Sequence, residues 1–319
     1  MSQTPPRLLE SEQSPGQKTL YLEIPLGNWA PVTGVFFPAG YSYNLSSLNL
    51  LIYLHGDRFE GSACEGVKDI KAYWSGKLFP LRQLTNDSKS EKAILVAPTL
   101  GPRPGAGGLT PADKWGTLVD KIDWYLDQVA CGIAAYGPQA PPPQQLQAPP
   151  QPQAPQPPGN PSGAGGTTPL PDARVKKIVL AGHSGGGAPM LALANELTSG
   201  NSFDASALKQ CWGFDSLYQG AEPWLKLARR TNVWVNMCAG SSTKDACAEL
   251  EKLAKTEPRT SQVTVYPSFY DVPLGDWSPR RDPKPAQPAL RKTPTGLVYG
   301  HCEVPKNWWG MCLRQSFPP

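Results

Sequence analysis

"VLAGHSGGGAPM", residues Val179–Met190, sets a serine among four glycines, with an apolar run before it and an alanine- and leucine-rich run after. "KKIVLA" reads as a strand and "APMLALANEL" as a helix. Where a strand ends and a helix begins within a residue or two, a serine at the bend is driven into a strained backbone conformation. The residues two positions on either side must then be small. Gly182 and Gly186 fill those positions and give G-x-S-x-G. The N–H of Gly185, at the helix start, is placed to face a developing negative charge. Ser184 is the candidate nucleophile. An ordinary strand–helix turn is the competing reading. A phosphate loop is not, because Gly-Lys-Ser/Thr is absent and G-x-G-x-x-G does not fit.

Outward from this bend, the chain alternates strand and helix. "KTLYLEIPL" and "VTGVFFPAG" form a leading antiparallel pair. Six apolar runs follow: "LNLLIYLHG", "KAILVAPTLG", "VKKIVLAGHS", "QCWGFDSLY", "NVWVNMCAG" and "SQVTVYPSF". Near-continuous apolarity, in place of alternation, marks parallel strands covered on both faces. "TLVDKIDWYLDQVACGI" carries Leu118, Ile122, Tyr125, Leu126 and Val129 on one helical face. "TKDACAELEKLAK" and "NWWGMCLRQSF" are further helices. The expected fold is α/β: a mostly parallel, eight-stranded sheet with an antiparallel start and helices on both faces.

Residues 138–161 hold 11 prolines and seven glutamines in 24 positions, with almost nothing apolar to bury. Strand–helix alternation continues on both sides of them. Residues 138–172 therefore read as a disordered Pro/Gln-rich insertion in one domain, away from the strands' carboxyl ends. A PxxP docking site for an SH3-like partner is the sharper alternative. Residues 1–18 read as a flexible tail and 19–319 as the single domain. Residues 267–296, proline-rich and irregular, are expected to form a cap loop.

Composition narrows the partners. The net charge of +4 is spread without a run longer than a pair, which argues against nucleic acid. No stretch approaches the length of a membrane span, and the polar N-terminus lacks a signal-like run, so the expectation is a soluble, cytoplasmic protein. Seven cysteines without CxxC spacing read as free thiols. Three histidines far apart in sequence do not suggest a metal site, and no cofactor is expected.

With the G-x-S-x-G bend in this setting, most of residues 19–319 resembles the α/β-hydrolase superfamily, in particular its serine esterase and lipase members. The resemblance implies the order nucleophile, acid, histidine, and an oxyanion loop after the third of the eight strands. His55-Gly56 in "LIYLHGD" matches that loop. Backbone amides of Gly185 and of Asp57, Gly56 or Arg58 would then form the oxyanion hole, with His55 bracing the loop. His301, in "GLVYGHCEVP", is the histidine late enough to be the base, and His183 takes a structural place beside the serine. The acid is Asp215, at the end of "QCWGFD", or alternatively Asp245. The family's usual acid position falls on Thr243.

The implied activity is hydrolysis of a carboxylic ester (or a thioester or amide) through a Ser-His-Asp triad and an acyl-enzyme. Acyl transfer by the same residues and a non-catalytic binding protein are the alternatives. Tyr270, Trp277 and Phe269 in the cap loop are candidate substrate contacts. Arg58, Arg280 and Arg281 would favour an acidic group. Trp74, Trp115, Trp308 and Trp309 either join them or simply pack.

Overall fold

A computed structural model describes residues 4–41, 44–57, 65–76, 79–106, 115–138, 173–199, 204–257, 260–266, 290–293, 296–299 and 301–319. The six apolar runs are β4 (Leu48–Leu54), β5 (Ile94–Pro98), β6 (Val175–His183), β7 (Leu208–Phe214), β8 (Trp234–Cys238) and β9 (Val263–Tyr266). They pair in parallel, and β2 (Gln17–Glu23) and β3 (Val32–Phe37) precede them antiparallel. With β1 (Arg7–Ser14) the sheet has nine strands in the order β1-β2-β3-β5-β4-β6-β7-β8-β9. From β4 the chain moves to β5 on one side and then crosses to β6 on the other. Loops leaving β4 and β6 at their carboxyl ends therefore diverge, and a crevice opens between them.

A core lies against each face of the sheet. Helices α1 (Val67–Trp74), α2 (Leu81–Asp87) and α8 (Val304–Ser316) pack on one face. The other face takes α3 (Trp115–Asp120), α4 (Ile122–Tyr136), α5 (Gly187–Leu197), α6 (Glu222–Arg230) and α7 (Lys244–Thr256). Successive side chains of a strand point to opposite faces. On β4, Leu50, Ile52 and Leu54 accordingly enter one core, and Leu51 and Tyr53 the other. Both faces being apolar is why these runs are near-continuous.

The structure corrects three expectations. The sheet has nine strands, not eight, because residues 7–14 of the expected flexible tail form β1. Its polar, exposed side chains hid it. It is held by the backbone ladder to β2, by a turn with Gly16 at φ +70°, and by ion pairs of Arg7 with Glu23 at 2.6 Å and of Arg82 with Glu12 at 2.7 Å. The helix expected over residues 117–133 is broken at Lys121 into α3 and α4. Leu118, Ile122, Tyr125, Leu126 and Val129 still share one core. At the end of the expected cap loop, β10 (Leu290–Thr293) pairs antiparallel with β11 (Gly296–Tyr299), which runs past it.

The rest of the cap loop, with Tyr270, Trp277, Phe269, Arg280 and Arg281, lies outside the described residues. So do Arg58 and residues 139–172 with their PxxP segments. The residues flanking that insertion sit at the amino end of the sheet, where the Arg174 amide bonds the Leu45 carbonyl at 2.7 Å. Trp74, Trp115 and Trp309 are buried core residues. Among the described residues no helix is long and apolar enough to cross a membrane, and the described cysteines are free thiols.

Candidate active site

The strand β6 ends at His183, and a single 3-10 turn, Ser184–Gly186, leads into α5. Ser184 takes φ +53°, in the left-handed region that side-chain-bearing residues rarely enter. The flanking glycines are required by close approach. A Cβ on Gly186 would stand 2.2 Å from the Leu54 carbonyl oxygen, and one on Gly182 would stand 2.8 Å from the Gly186 carbonyl oxygen. The bend is thus pressed against the end of β4, with the serine hydroxyl turned outward.

Asp215 follows β7 directly and also has a positive φ, +47°. Its side chain is wholly buried. Oδ1 accepts the Thr243 amide at 2.8 Å and the Thr243 hydroxyl at 2.7 Å. Oδ2 accepts the Ser242 amide at 3.2 Å and lies 2.6 Å from Nδ1 of His301. Burial pushes this carboxyl up, but the hydrogen bonds from His301 and Thr243 outweigh it and hold the group below the usual carboxylate range. An ionised carboxylate only accepts, so Nδ1 of His301 is the donor in this contact, and in the neutral ring the lone pair then falls on Nε2.

His301 opens the 3-10 turn before α8 and is 28% exposed. Its carbonyl accepts from Nε2 of His183 at 3.0 Å, and the two rings lie 4.7 Å apart. Burial, with the neighbouring His301 ring, lowers the pKa of His183 to about 3, so it is neutral. His183 therefore braces the turn that carries His301.

The loop after β4 completes the constellation. Leu100 donates its amide to Nε2 of His55 at 2.9 Å, which leaves the ring proton on Nδ1 to donate to the Gly56 carbonyl at 2.8 Å. The Tyr73 hydroxyl, its ring stacked on His55 at 4.3 Å, bonds the same carbonyl at 3.2 Å. A trans peptide points its C=O and N–H in opposite directions. With the Gly56 carbonyl gripped inward, the Asp57 amide is turned away from these groups. The loop touches the bend: a Cβ on Gly56 would stand 2.5 Å from that of Ser184.

The structure thus brings Ser184, His301, Gly56, Asp57 and Gly185 to the wall of one cavity of about 770 Å³. Asp215 stands behind His301. Asp245 is not part of this group and lies in the first turn of α7. Tyr218 on the same wall was missed by sequence reasoning, as was Gly105. Burial raises the Tyr218 hydroxyl's pKa, while the Ser242 and Ser184 side chains act against that shift. Position in the loop after β7, four residues beyond Phe214, was the signal available for it.

No family model and no curated protein matches the sequence. Among solved structures, the chain is similar to a dienelactone hydrolase from Anabaena variabilis, at 11% identity and TM-score 0.40, over 79% of this chain and 87% of that one. It is similar to an S-formylglutathione hydrolase from Agrobacterium tumefaciens at 11% identity and TM-score 0.43, over 81% and 88%. A ferulic acid esterase aligns at 12% identity and TM-score 0.45, over 81% and 91%. On its own strand order, with an antiparallel start and the parallel crossover at β4, the chain has the α/β-hydrolase fold.

Proposed function

We propose that the protein is a serine hydrolase that cleaves carboxylic esters. In this reading the Ser184 Oγ attacks the ester carbonyl while Nε2 of His301 takes its proton. A carbon–oxygen bond forms, and the carbonyl oxygen becomes an anion held by the amides of Gly185 and Asp57. Collapse expels the alcohol, which leaves with the proton from His301. Water then repeats the sequence on the acyl-enzyme and releases the acid. Asp215 keeps the imidazole in the Nδ1–H tautomer and stabilises its charged form. Loss of one oxyanion donor typically costs about a hundredfold or more in rate, so the pinned Gly56 carbonyl matters to this chemistry.

The observation that carries the reading is the 2.6 Å contact of buried Asp215 with His301 on the cavity that Ser184 lines. A serine at positive φ beside such a pair is strain that an ordinary turn has no use for. The test is labelling by a fluorophosphonate probe, together with hydrolysis of p-nitrophenyl acetate. Wild type should label and turn over. Ser184→Ala should do neither while keeping its circular dichroism and melting temperature. Folded wild type that does not label would defeat the proposal, as would a Ser184→Ala protein labelled equally.

A further inference from the structure

We infer that this cavity selects substrates bearing a cationic group, an ammonium above all, and that the Asp57 side chain is the selector. The inference rests on Ser184 being the nucleophile only for its kinetic arm. Asp57 is exposed at the cavity wall immediately beside the bend. Its Oδ1 accepts the Gly105 amide at 2.7 Å, which fixes the carboxylate's position. That oxygen packs against the bend: a Cβ on Gly185 would stand 2.2 Å from it. Oδ2 has no hydrogen-bond or ion-pair partner among the described residues and remains able to accept.

The rest of the described wall offers Asp57 no compensation. It includes no lysine or arginine, and the other carboxylate of the site, Asp215, is buried and already bonded to His301. The same wall carries Tyr218, whose ring is half exposed, while Tyr73 and Phe79 lie largely buried in it. An exposed carboxylate in a cavity that also presents an exposed aromatic ring suits an ammonium, which gains from the charge and from the ring quadrupole. It repels a carboxylate-bearing acyl or alcohol group. A fixed negative charge this close to the carbonyl's developing anion also works against catalysis on neutral esters. A cation seated on Asp57 offsets that charge during the reaction, so the preference should fall on kcat as well as KM.

The experiment compares three p-nitrophenyl esters of matched length whose acyl chains end in trimethylammonium, tert-butyl or carboxylate. Expected for wild type is a kcat/KM about tenfold higher for the cation than for the neutral isostere, with the anion lowest. Salt at 0.5 M, where the Debye length is about 4 Å, should narrow the spread. Asp57→Asn keeps the backbone amide and should bring the cation-to-neutral ratio close to one. A wild type that prefers the anionic ester would overturn the inference and point to the arginines at 58, 280 and 281. An unchanged ratio in folded Asp57→Asn would also overturn it.

A second arm separates this inference from the hydrolase reading. Calorimetric titration with benzyltrimethylammonium needs no turnover. Binding by wild type that is lost in Asp57→Asn supports the subsite even if fluorophosphonate labelling fails. Absence of binding, with labelling intact, rejects the subsite alone.

Discussion

Thr243 holds Oδ1 of Asp215 from two directions, with its amide nitrogen at 2.8 Å and its hydroxyl at 2.7 Å. The sequence resemblance implied an acid at this position; the residue there instead clamps a carboxylate that follows the preceding strand. Thr243→Val removes the hydroxyl and keeps the shape. A hydrogen bond to a charged group is worth roughly 1.5–3 kcal/mol, and urea unfolding at pH 7 should show a loss in that range. A carboxyl held below its ordinary value contributes stability that is full above the unfolded value and is lost as pH falls through the depressed one. Thr243→Val should therefore move the acid-unfolding midpoint to higher pH, and Thr243→Ser should restore it.

Asp215→Asn is the cleanest probe of the acid. Asparagine tolerates the φ of +47° at this position, so the backbone need not move. The amide disturbs the imidazole tautomer, and kcat should fall by about three to four orders of magnitude. Asp245→Asn should leave kcat within twofold, because Asp245 only complements the dipole of α7, an interaction worth about 0.3–1 kcal/mol. Equal losses in the two variants would reverse the assignment. The measurement is kcat on p-nitrophenyl acetate with both proteins shown to be folded.

His183 should make the fold sensitive to mild acid. Its folded pKa, pushed by burial from 6.5 to about 3, means that only the unfolded chain takes up this proton between those values. Stability therefore falls as pH drops below 6.5, by up to about 1.4 kcal/mol per pH unit from this group. At 6.5 the slope is half its maximum, and by about pH 7.5 little of it remains. His183→Gln retains a donor for the His301 carbonyl but does not titrate. Urea unfolding of the two proteins between about pH 4.5 and 8.5 should give curves that run parallel above about 7.5 and diverge increasingly below it. Parallel curves throughout would show that His183 is not the source.

Much of this architecture was legible because it is written in runs of one kind. Strands buried on both faces must be continuously apolar, and Gly186 beside Ser184 is demanded because a Cβ there would stand 2.2 Å from the end of β4. The resemblance to a known family implied an acid between Ser184 and His301 and left Asp215 and Asp245 both open; it is Asp215 that contacts His301. What stayed hidden is held by other means. β1 is a polar strand fixed by backbone ladder and ion pairs, so it leaves no apolar signature. The clamp by Thr243, the grip of His55 and Tyr73 on the Gly56 carbonyl, and Gly105 under Asp57 depend on loops meeting across the sheet's end. Residue type and spacing carry no record of such meetings.

On the proposed reading, the φ of +53° at Ser184 is a cost that the fold bears for the position of one hydroxyl. A non-glycine residue held in such a region costs on the order of 1 kcal/mol, and glycine relieves it. Ser184→Gly should thus be more stable than wild type by roughly 0.5–1.5 kcal/mol, while labelling and turnover vanish. Ser184→Ala makes the sharper comparison: it loses the hydroxyl equally but keeps its Cβ in the strained conformation. The glycine variant should therefore melt higher than the alanine variant. Differential scanning calorimetry of the three proteins at one pH decides the matter. If alanine and glycine melt together, the bend carries no strain, and the backbone's part in presenting the nucleophile must be given up.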